Sequence, residues 1–305
     1  MAWFRRRRPL RWAVVVSSPS GEAGDQWGDT WFARDLIDAL NRQGQEARLV
    51  YRGGAQSEAR DKDDVVLVLR GLRRVTPRRS GNTWLLWVIS HPELVADSEL
   101  AEYDAAFAAS PTWKTESVTP LLQATNPQRF TPDAGAPDSG EKYLFVGSTR
   151  GEYRPIVRDA IAAGVPLGVY GVGWSEFIPA TFIRGEFMSN HELPAAYASA
   201  GVVLNDHWRE MADDGFLSNR LFDAVASGAR VISDEAAGLK AVFGDAVVTY
   251  SSPESLSEIL NAPLERAFAD RARRLEHATR IAAEHSFDAR AANLIAAAQR
   301  IRGAG

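Results

Sequence analysis

The sequence predicts an α/β protein built of two Rossmann-like domains in series, and three observations predict it. At 305 residues the chain has the length of about two ordinary domains of roughly 100–200 residues each. Short, wholly apolar, β-rich runs alternate with helical segments, which indicates parallel strands covered on both faces. The alternation stops at a stretch rich in proline and glycine, residues 125–141 (TNPQRFTPDAGAPDSGE), and then starts again.

The elements follow in order. Residues 11–17 read as a short buried strand. Asp29 is placed at the N-cap of a helix reaching about Gln43, with Phe32, Leu36, Ile37 and Leu40 at helical spacing and Gly44 as the stop. Strands are expected at 46–51, 64–69 and 83–90, a helical turn at 99–102 and a strand at 104–109. Together they make a first domain over residues 1–124, with 125–141 as linker. In a second domain, 142–287, strands are expected at 142–146, 166–170, 201–204, 230–233 and 246–250. Its helices are expected at 154–163, 191–199, 218–227, 238–243, 253–260 and 264–284. A last helix, 288–301, follows a break at Ser286 and lies in the C-terminal segment 288–305.

Composition excludes several kinds of chemistry. There is no cysteine, so thiol nucleophiles, disulfide scaffolds, iron–sulfur clusters and cysteine-ligated zinc are out. Lys and Arg total 35 against 39 Asp and Glu, a net charge of −4, which argues against a generally basic nucleic-acid binder. No run of about 18 apolar residues is available to cross a bilayer. Arg5, Arg6, Arg7 and Arg8 carry the charge of a secretory n-region, but only residues 13–16 follow as an apolar run, too few for a signal peptide. A cytoplasmic location is expected, with the arginines either docking on an anionic membrane face or forming a solvated tail.

In open parallel sheets, ligands bind beyond the carboxyl ends of the strands. Polar and glycine-rich residues follow those ends here: Gly21 to Thr30, His91-Pro-Glu, Gly147-Ser-Thr-Arg-Gly, Gly171-Val-Gly-Trp, Asn205-Asp-His-Trp and Asp234-Glu. The pair Gly171 and Gly173 is half of a dinucleotide fingerprint and lacks the third glycine and its acidic partner. There is no GxSxG, no phosphate-loop GxxxxGK[ST] and no HExxH.

The most informative stretch runs from Asp214 to Gly228. With Ser218 as N-cap, Leu221, Phe222, Val225 and Ala226 share an apolar face, while Asn219, Arg220, Asp223 and Ser227 share a polar one. Arg220 and Asp223 stand one turn apart and can pair. Two readings stay open: an exposed salt bridge on a core helix, or a helix whose N-terminus meets a diphosphate while Asp223 accepts bonds from vicinal hydroxyls.

The segment from Ser218 to Asp234 (SNRLFDAVASGARVISD) resembles the donor-site segment of retaining GT-B glycosyltransferases of group 1, in particular the spore-maturation, CgeB-like branch. Further pieces fit in order: Trp27 to Ala33, Ser90-His-Pro-Glu93, Leu121 to Pro132, Phe145-Val-Gly147, Tyr170 to Trp174 and Val203 to Trp208. The resemblance implies two Rossmann-like domains facing a central cleft, with the last helix crossing back onto the first. It implies transfer of a sugar from a nucleoside diphosphate-sugar to a hydroxyl acceptor, with retention and without an essential metal or other cofactor. The donor is held mainly by the second domain and the acceptor by the first.

Residue by residue, Asp223 matches the acid that binds the ribose. The family's other acid lies eight positions earlier, where this chain has Gly215, so Asp214 is the nearest candidate, with Glu210 and Asp213 as alternatives. Arg150 and Arg154 match the basic residues that meet the diphosphate, and Gly147 admits the donor closely. His91 matches the first-domain residue facing donor sugar or acceptor, and it also suits a loop histidine ordering Pro92. Gly28 can admit the diphosphate at the first long helix. Asp206 and His207 are candidate walls of the donor pocket, as are Ser218, Asn219 and Arg220 on the helix; Trp174 and Trp208 can stack a base or sugar. Two other classes compete: an NAD-type oxidoreductase, and a GT-B protein that binds without catalysis.

Overall fold

The computed structural model describes residues 8–54, 62–78, 81–134 and 140–303, so Arg5, Arg6 and Arg7 lie outside the described residues while Arg8 is exposed. Two compact units emerge: one holds residues up to 109, 113–121 and those from 287 on, the other 110–112 and 122–286. Among the described residues no helix is long and apolar enough to cross a membrane.

The first unit is built on strands β1 (Arg11–Val15), β2 (Glu46–Val50), β3 (Val65–Arg70), β4 (Thr83–Val88), β5 (Ala105–Ala108) and β6 (Thr119–Pro120). They form one parallel sheet in the order β2-β1-β3-β4-β5-β6. Every residue of β3 and β4 is buried, as continuous apolar runs in a parallel sheet require. Three helices precede or interleave these strands, α1 (Glu22–Asp25), α2 (Gly28–Arg42) and α3 (Asp97–Leu100). The last helix of the chain, α12 (Phe287–Gly303), belongs to this unit. There Phe287 meets Phe32 of α2 edge-on, ring centroids 4.8 Å apart, and Phe32 meets Trp87 of β4 at 5.2 Å. Arg42 adds an ion pair to Asp288 at 2.9 Å.

In the second unit, β7 (Tyr143–Val146), β8 (Leu167–Tyr170), β9 (Ile183–Gly185), β10 (Val202–Asn205), β11 (Val231–Asp234) and β12 (Val247–Tyr250) form a parallel sheet ordered β12-β11-β10-β7-β8-β9. Around it lie α4 (Pro155–Ala162), α5 (Leu193–Ser199), α6 (Arg209–Asp213), α7 (Asn219–Ala226), α8 (Leu239–Phe243), α9 (Pro253–Asn261), α10 (Leu264–Ala267) and α11 (Arg271–Glu284). Alternate residues of each strand feed opposite faces. Leu144, Val203 and Val231 join one core with Leu221, Phe222 and Val225 of α7. Tyr143, Phe145, Val202, Leu204 and Ile232 join another with Ile156 and Val157 of α4. Each of these fully buried side chains contributes about 1.5–3 kcal/mol, which fixes α7 against the sheet and so fixes what its other face presents.

Several expectations are corrected here. Trp27, not Asp29, occupies the N-cap of α2, and no side chain caps that end. The helix expected over 264–284 is two, broken before Asp270, whose Oδ1 accepts from the Arg273 N–H at 2.8 Å and caps α11. Each sheet gains a sixth, edge strand. Thr119–Pro120 and Ile183–Gly185 are too short and too exposed to leave a period-two pattern. Residues 125–134 are packed structure of the second unit and not a free linker: Phe130 is buried against Tyr197, and Thr125 bridges Ser286. Residues 135–139 of the expected linker lie outside the described residues.

Candidate functional site

In the second unit, three arginines converge where β7 and β10 end. Arg220 leaves the polar face of α7, donating from Nη2 to the Val146 carbonyl at 2.5 Å and from Nη1 to Asn205 Oδ1 at 2.8 Å. It therefore does not make the i,i+3 pair with Asp223 that the helix spacing allowed. Arg154, at the N-cap of α4, donates from Nε to Asp206 Oδ2 at 3.1 Å and from Nη2 to Asp206 Oδ1, with Nη1 on the Ser148 carbonyl at 3.2 Å. Both members of this pair are buried, with side-chain exposures of 6% and 4%. The guanidinium carbons of Arg154 and Arg220 lie 4.8 and 5.0 Å from the Phe145 ring centroid.

Gly147 makes this crowding possible. A Cβ there would stand 2.9 Å from Arg220 Nη2 and 3.1 Å from Arg154 Nη1. Arg150 completes the cluster from the rim, exposed, its guanidinium 4.9 Å from the Trp208 ring centroid. Its backbone is left-handed, φ 60°, a conformation that costs a non-glycine residue about 1 kcal/mol or more. Although Arg150 as a whole is exposed, its neighbours shield the guanidinium from water, and that desolvation, then the like charges of Arg154 and Arg220, pull its pKa down to about 10, so it is still charged at neutral pH. Burial likewise lowers Arg154, despite the opposing effect of Asp206. Of the three guanidinia only that of Arg154 bonds a carboxylate, Asp206, with Asp234 acting on it at longer range, so Arg150 and Arg220 bring positive charge to the strand ends without a bonded acid among the described residues.

A second network ties the start of α7 to the sheet. His207 donates from Nδ1 to Asp234 Oδ1 at 2.7 Å, its backbone N–H donates to Asp234 Oδ2 at 2.9 Å, and its Nε2 accepts from the Ser218 N–H at 3.0 Å. Those partners select the neutral Nδ1–H tautomer. Ser233 Oγ donates to Asp234 Oδ1 at 3.0 Å and accepts from Asn205 Nδ2 at 2.9 Å, closing a chain of bonds from Ser218 to Arg220. His207 is fully buried, so it positions the helix and is not a wall open to a ligand.

Ser218 is the N-cap of α7, as expected, but no side chain caps that end. On the same helix Asn219 Nδ2 donates to Asp223 Oδ2 at 2.7 Å. The Asn219 Oδ1 is buried without a hydrogen-bond partner among the described residues, an acceptor that a bound donor group would satisfy. Asp223 is itself buried, near the Tyr197 hydroxyl, whose pKa burial pushes up to about 12.

The remaining candidates are dispersed. Asp214 closes α6, and its carbonyl accepts from Ser110 Oγ at 2.6 Å and Thr112 Oγ1 at 3.2 Å. Gly215 has φ 74°, and a Cβ there would meet Thr112 Oγ1 at 2.7 Å and the Ala237 carbonyl at 2.8 Å, so no acid can stand at that position. Gly171 and Gly173 serve packing: their Cβ atoms would strike the Gly147 carbonyl at 2.3 Å and Thr149 Oγ1 at 2.4 Å. Packing alone therefore accounts for both glycines. Trp174 is a core residue, 1% exposed, donating to the Gly147 carbonyl at 2.8 Å, and stacks no ligand. In the first unit, His91 follows β4 with φ 55° and bonds Glu93 Oε1 at 3.0 Å. Gly28 opens α2 with free space around it. Asn205 and Asp234 were marked by their place at the carboxyl ends of apolar strands but given no role, and Ser233, which carries the same signal, was missed.

Residues 152–296 match the protein family described as "Glycosyl transferase-like". No curated protein matches the chain in sequence. Among solved structures the chain is similar to AviGT4, a glycosyltransferase involved in avilamycin A biosynthesis, with TM-score 0.68, 16% identity, and coverage of 97% of this chain and 99% of that one. It is also similar to sucrose-phosphate synthase from Thermosynechococcus elongatus, with TM-score 0.66, 14% identity and coverage of 97% and 100%. Anabaena HepE, solved with UDP and glucose, gives TM-score 0.58, 9% identity and coverage of 97% and 99%. The two six-stranded parallel sheets with their helices are the two-domain GT-B fold.

Proposed function

We propose that the chain is a group-1, CgeB-like glycosyltransferase that moves a sugar from a nucleoside diphosphate-sugar to a hydroxyl acceptor, with retention and without an essential metal. One observation carries the donor class: Arg154 and Arg220 crowd Gly147 at the end of β7 and Arg150 stands beside them, while among the described residues one carboxylate, Asp206, is bonded to the group, through Arg154. A diphosphate supplies the missing negative charge, and guanidinia are suited to bind its oxygens in pairs. The presence of UDP and glucose in one structure of this fold supports the same donor class.

Each residue then has a task. Arg150 binds the diphosphate from the rim, Arg220 from the helix, and Arg154, held by Asp206, sets the field. Asp223 accepts the ribose hydroxyls, oriented by Asn219. Asp214, beside the left-handed turn at Gly215, contacts the donor sugar. His91 faces the donor sugar or the acceptor, and Gly28 leaves room for the donor's diphosphate. In the transfer the bond from the anomeric carbon to the diphosphate oxygen breaks, and its electron pair leaves with the diphosphate. The acceptor oxygen bonds on the same face, and its proton passes to the departing phosphate oxygen. The protein contributes positioning and stabilisation of that growing charge.

A thermal-shift series with UDP, GDP, dTDP and ADP tests the reading. A native-state ligand at a hundredfold its Kd adds about 2.7 kcal/mol of apparent stability, so at least one of the four should raise the melting temperature by several degrees. Asp223→Ala should abolish most of that shift and most donor hydrolysis. Four flat curves would overturn the proposal.

A further inference from the structure

The first unit carries a recess that the donor reading does not use. Its volume is about 290 Å³, it opens at the carboxyl ends of β1 and β3, and Arg52, Arg73 and Arg74 stand around it, with no acid among the described residues of its lining. The turn Tyr51 to Gly54, closed by a 2.9 Å bond from the Gly54 N–H to the Tyr51 carbonyl, presents Arg52. Gly53 holds the position of that turn which needs a positive φ, here 86°. On the other side the Tyr103 hydroxyl donates to the Val75 carbonyl at 2.5 Å and Arg74 pairs with Glu102, which pins the segment bearing Arg73. Among the described residues neither Arg52 nor Arg73 has an ion pair.

Ser17 lines the same recess and also borders a second group of polar atoms. A Cβ at Gly71 would lie 3.1 Å from Asp29 Oδ2, 3.4 Å from Ser90 Oγ and 3.7 Å from Ser17 Oγ. Asp29, Ser17 and Ser90 therefore converge where β1, β3 and β4 end and α2 begins. Cationic and hydroxyl-binding groups adjoin through one serine.

We propose that this recess binds the acceptor by a phosphate or carboxylate group held by Arg52 and Arg73, with the acceptor hydroxyl directed to Asp29 and Ser90. The inference rests on the glycosyltransferase reading and gives its acceptor a class, a hydroxyl compound that carries an anionic group. Two unpaired guanidinia at the rim bind such a group by charge-assisted hydrogen bonds, and Asp29 orients the hydroxyl by accepting from it.

The test uses the full chain and glycerol 1-phosphate against glycerol as probes, titrated by ligand-observed NMR. Glycerol 1-phosphate should bind saturably and glycerol should not. The double variant Arg52→Ala/Arg73→Ala should bind glycerol 1-phosphate roughly tenfold more weakly or worse. Its thermal shift with the preferred nucleoside diphosphate should match the wild type, which shows that the fold and the donor site are intact. Absence of binding to the wild type, or undiminished binding to the double variant, overturns the inference and leaves the donor reading standing. Absence of any nucleoside diphosphate shift in the wild type overturns the donor reading instead.

Discussion

Each unit buries one arginine–carboxylate pair at the carboxyl end of its sheet, and the two pairs are built for different ends. In the first unit Arg70, the last residue of β3, donates to Glu99 at 2.7 and 3.3 Å and spends its other N–H groups on the carbonyls of Gly71 and Leu94. Both side chains are 3% exposed. This pair is electrically closed and holds the loop between β4 and α3. In the second unit Arg154 and Asp206 are buried almost as deeply, but Arg150 and Arg220 stand beside them. The geometry of the pairs is alike and the local sum of charge is not. A buried ion pair alone says little about function; a buried ion pair with surplus like charge at a strand end describes a place for a counter-ion.

The largest expected effect comes from opening the closed pair. Glu99→Ala leaves Arg70 charged and uncompensated, and should cost about 3–5 kcal/mol in chemical denaturation, a difference from wild type that is the same with and without nucleoside diphosphate. A loss below about 1 kcal/mol would show that the pair is not sealed. Next is the attempt to place an acid at Gly215, where the resemblance implies one. Gly215→Asp forces a side chain into a left-handed turn against Thr112 and Ala237, and should cost about 2 kcal/mol or more. A variant as stable as the parent, with stronger donor binding, would show that the turn tolerates the acid.

Arg150→Ala sharpens the comparison from the other direction. Because Arg150 pairs with no acid among the described residues and stands against the like charges of Arg154 and Arg220, its loss should leave the fold as stable as the parent or slightly more so. Its loss should nevertheless weaken nucleoside diphosphate binding roughly tenfold to a hundredfold, read by calorimetry. The smallest effect concerns the mirror case in the first unit, Asp29, whose pKa burial raises while His91 only partly opposes the shift. A carboxyl whose folded pKa exceeds its unfolded value weakens the fold when ionised. Asp29→Asn should therefore be more stable than wild type at neutral pH, and the gain should vanish as pH falls below the ordinary carboxylate range. Denaturant midpoints at pH 7 and pH 3.5 measure it; an advantage that grows on acidification contradicts the assignment.

The strands of both sheets were legible because complete burial leaves uninterrupted apolar runs, as in Val65–Arg70 and Thr83–Val88. The α7 segment was legible too, since its apolar face has to fit the sheet and Ser218 marks its start. What the polar face does was not legible. Spacing favoured a local Arg220–Asp223 pair, whereas Arg220 crosses to Val146 and Asn205, partners remote in sequence. His207 reads as an accessible histidine in a loop, yet long-range bonds to Asp234 and Ser218 bury it. Local periodicity records which face of a helix is polar and carries no information about which strand end its long side chains reach.

The central claim is that the arginine cluster of the second unit is a diphosphate site. Calorimetric titration of the wild type with the nucleoside diphosphate that gives the largest thermal shift, and with its parent nucleoside, tests it most directly. The account predicts that the diphosphate binds roughly a hundredfold more tightly than the nucleoside, and that Arg150→Ala removes most of that advantage. Equal affinity for the two ligands, or an advantage untouched by Arg150→Ala, would contradict it.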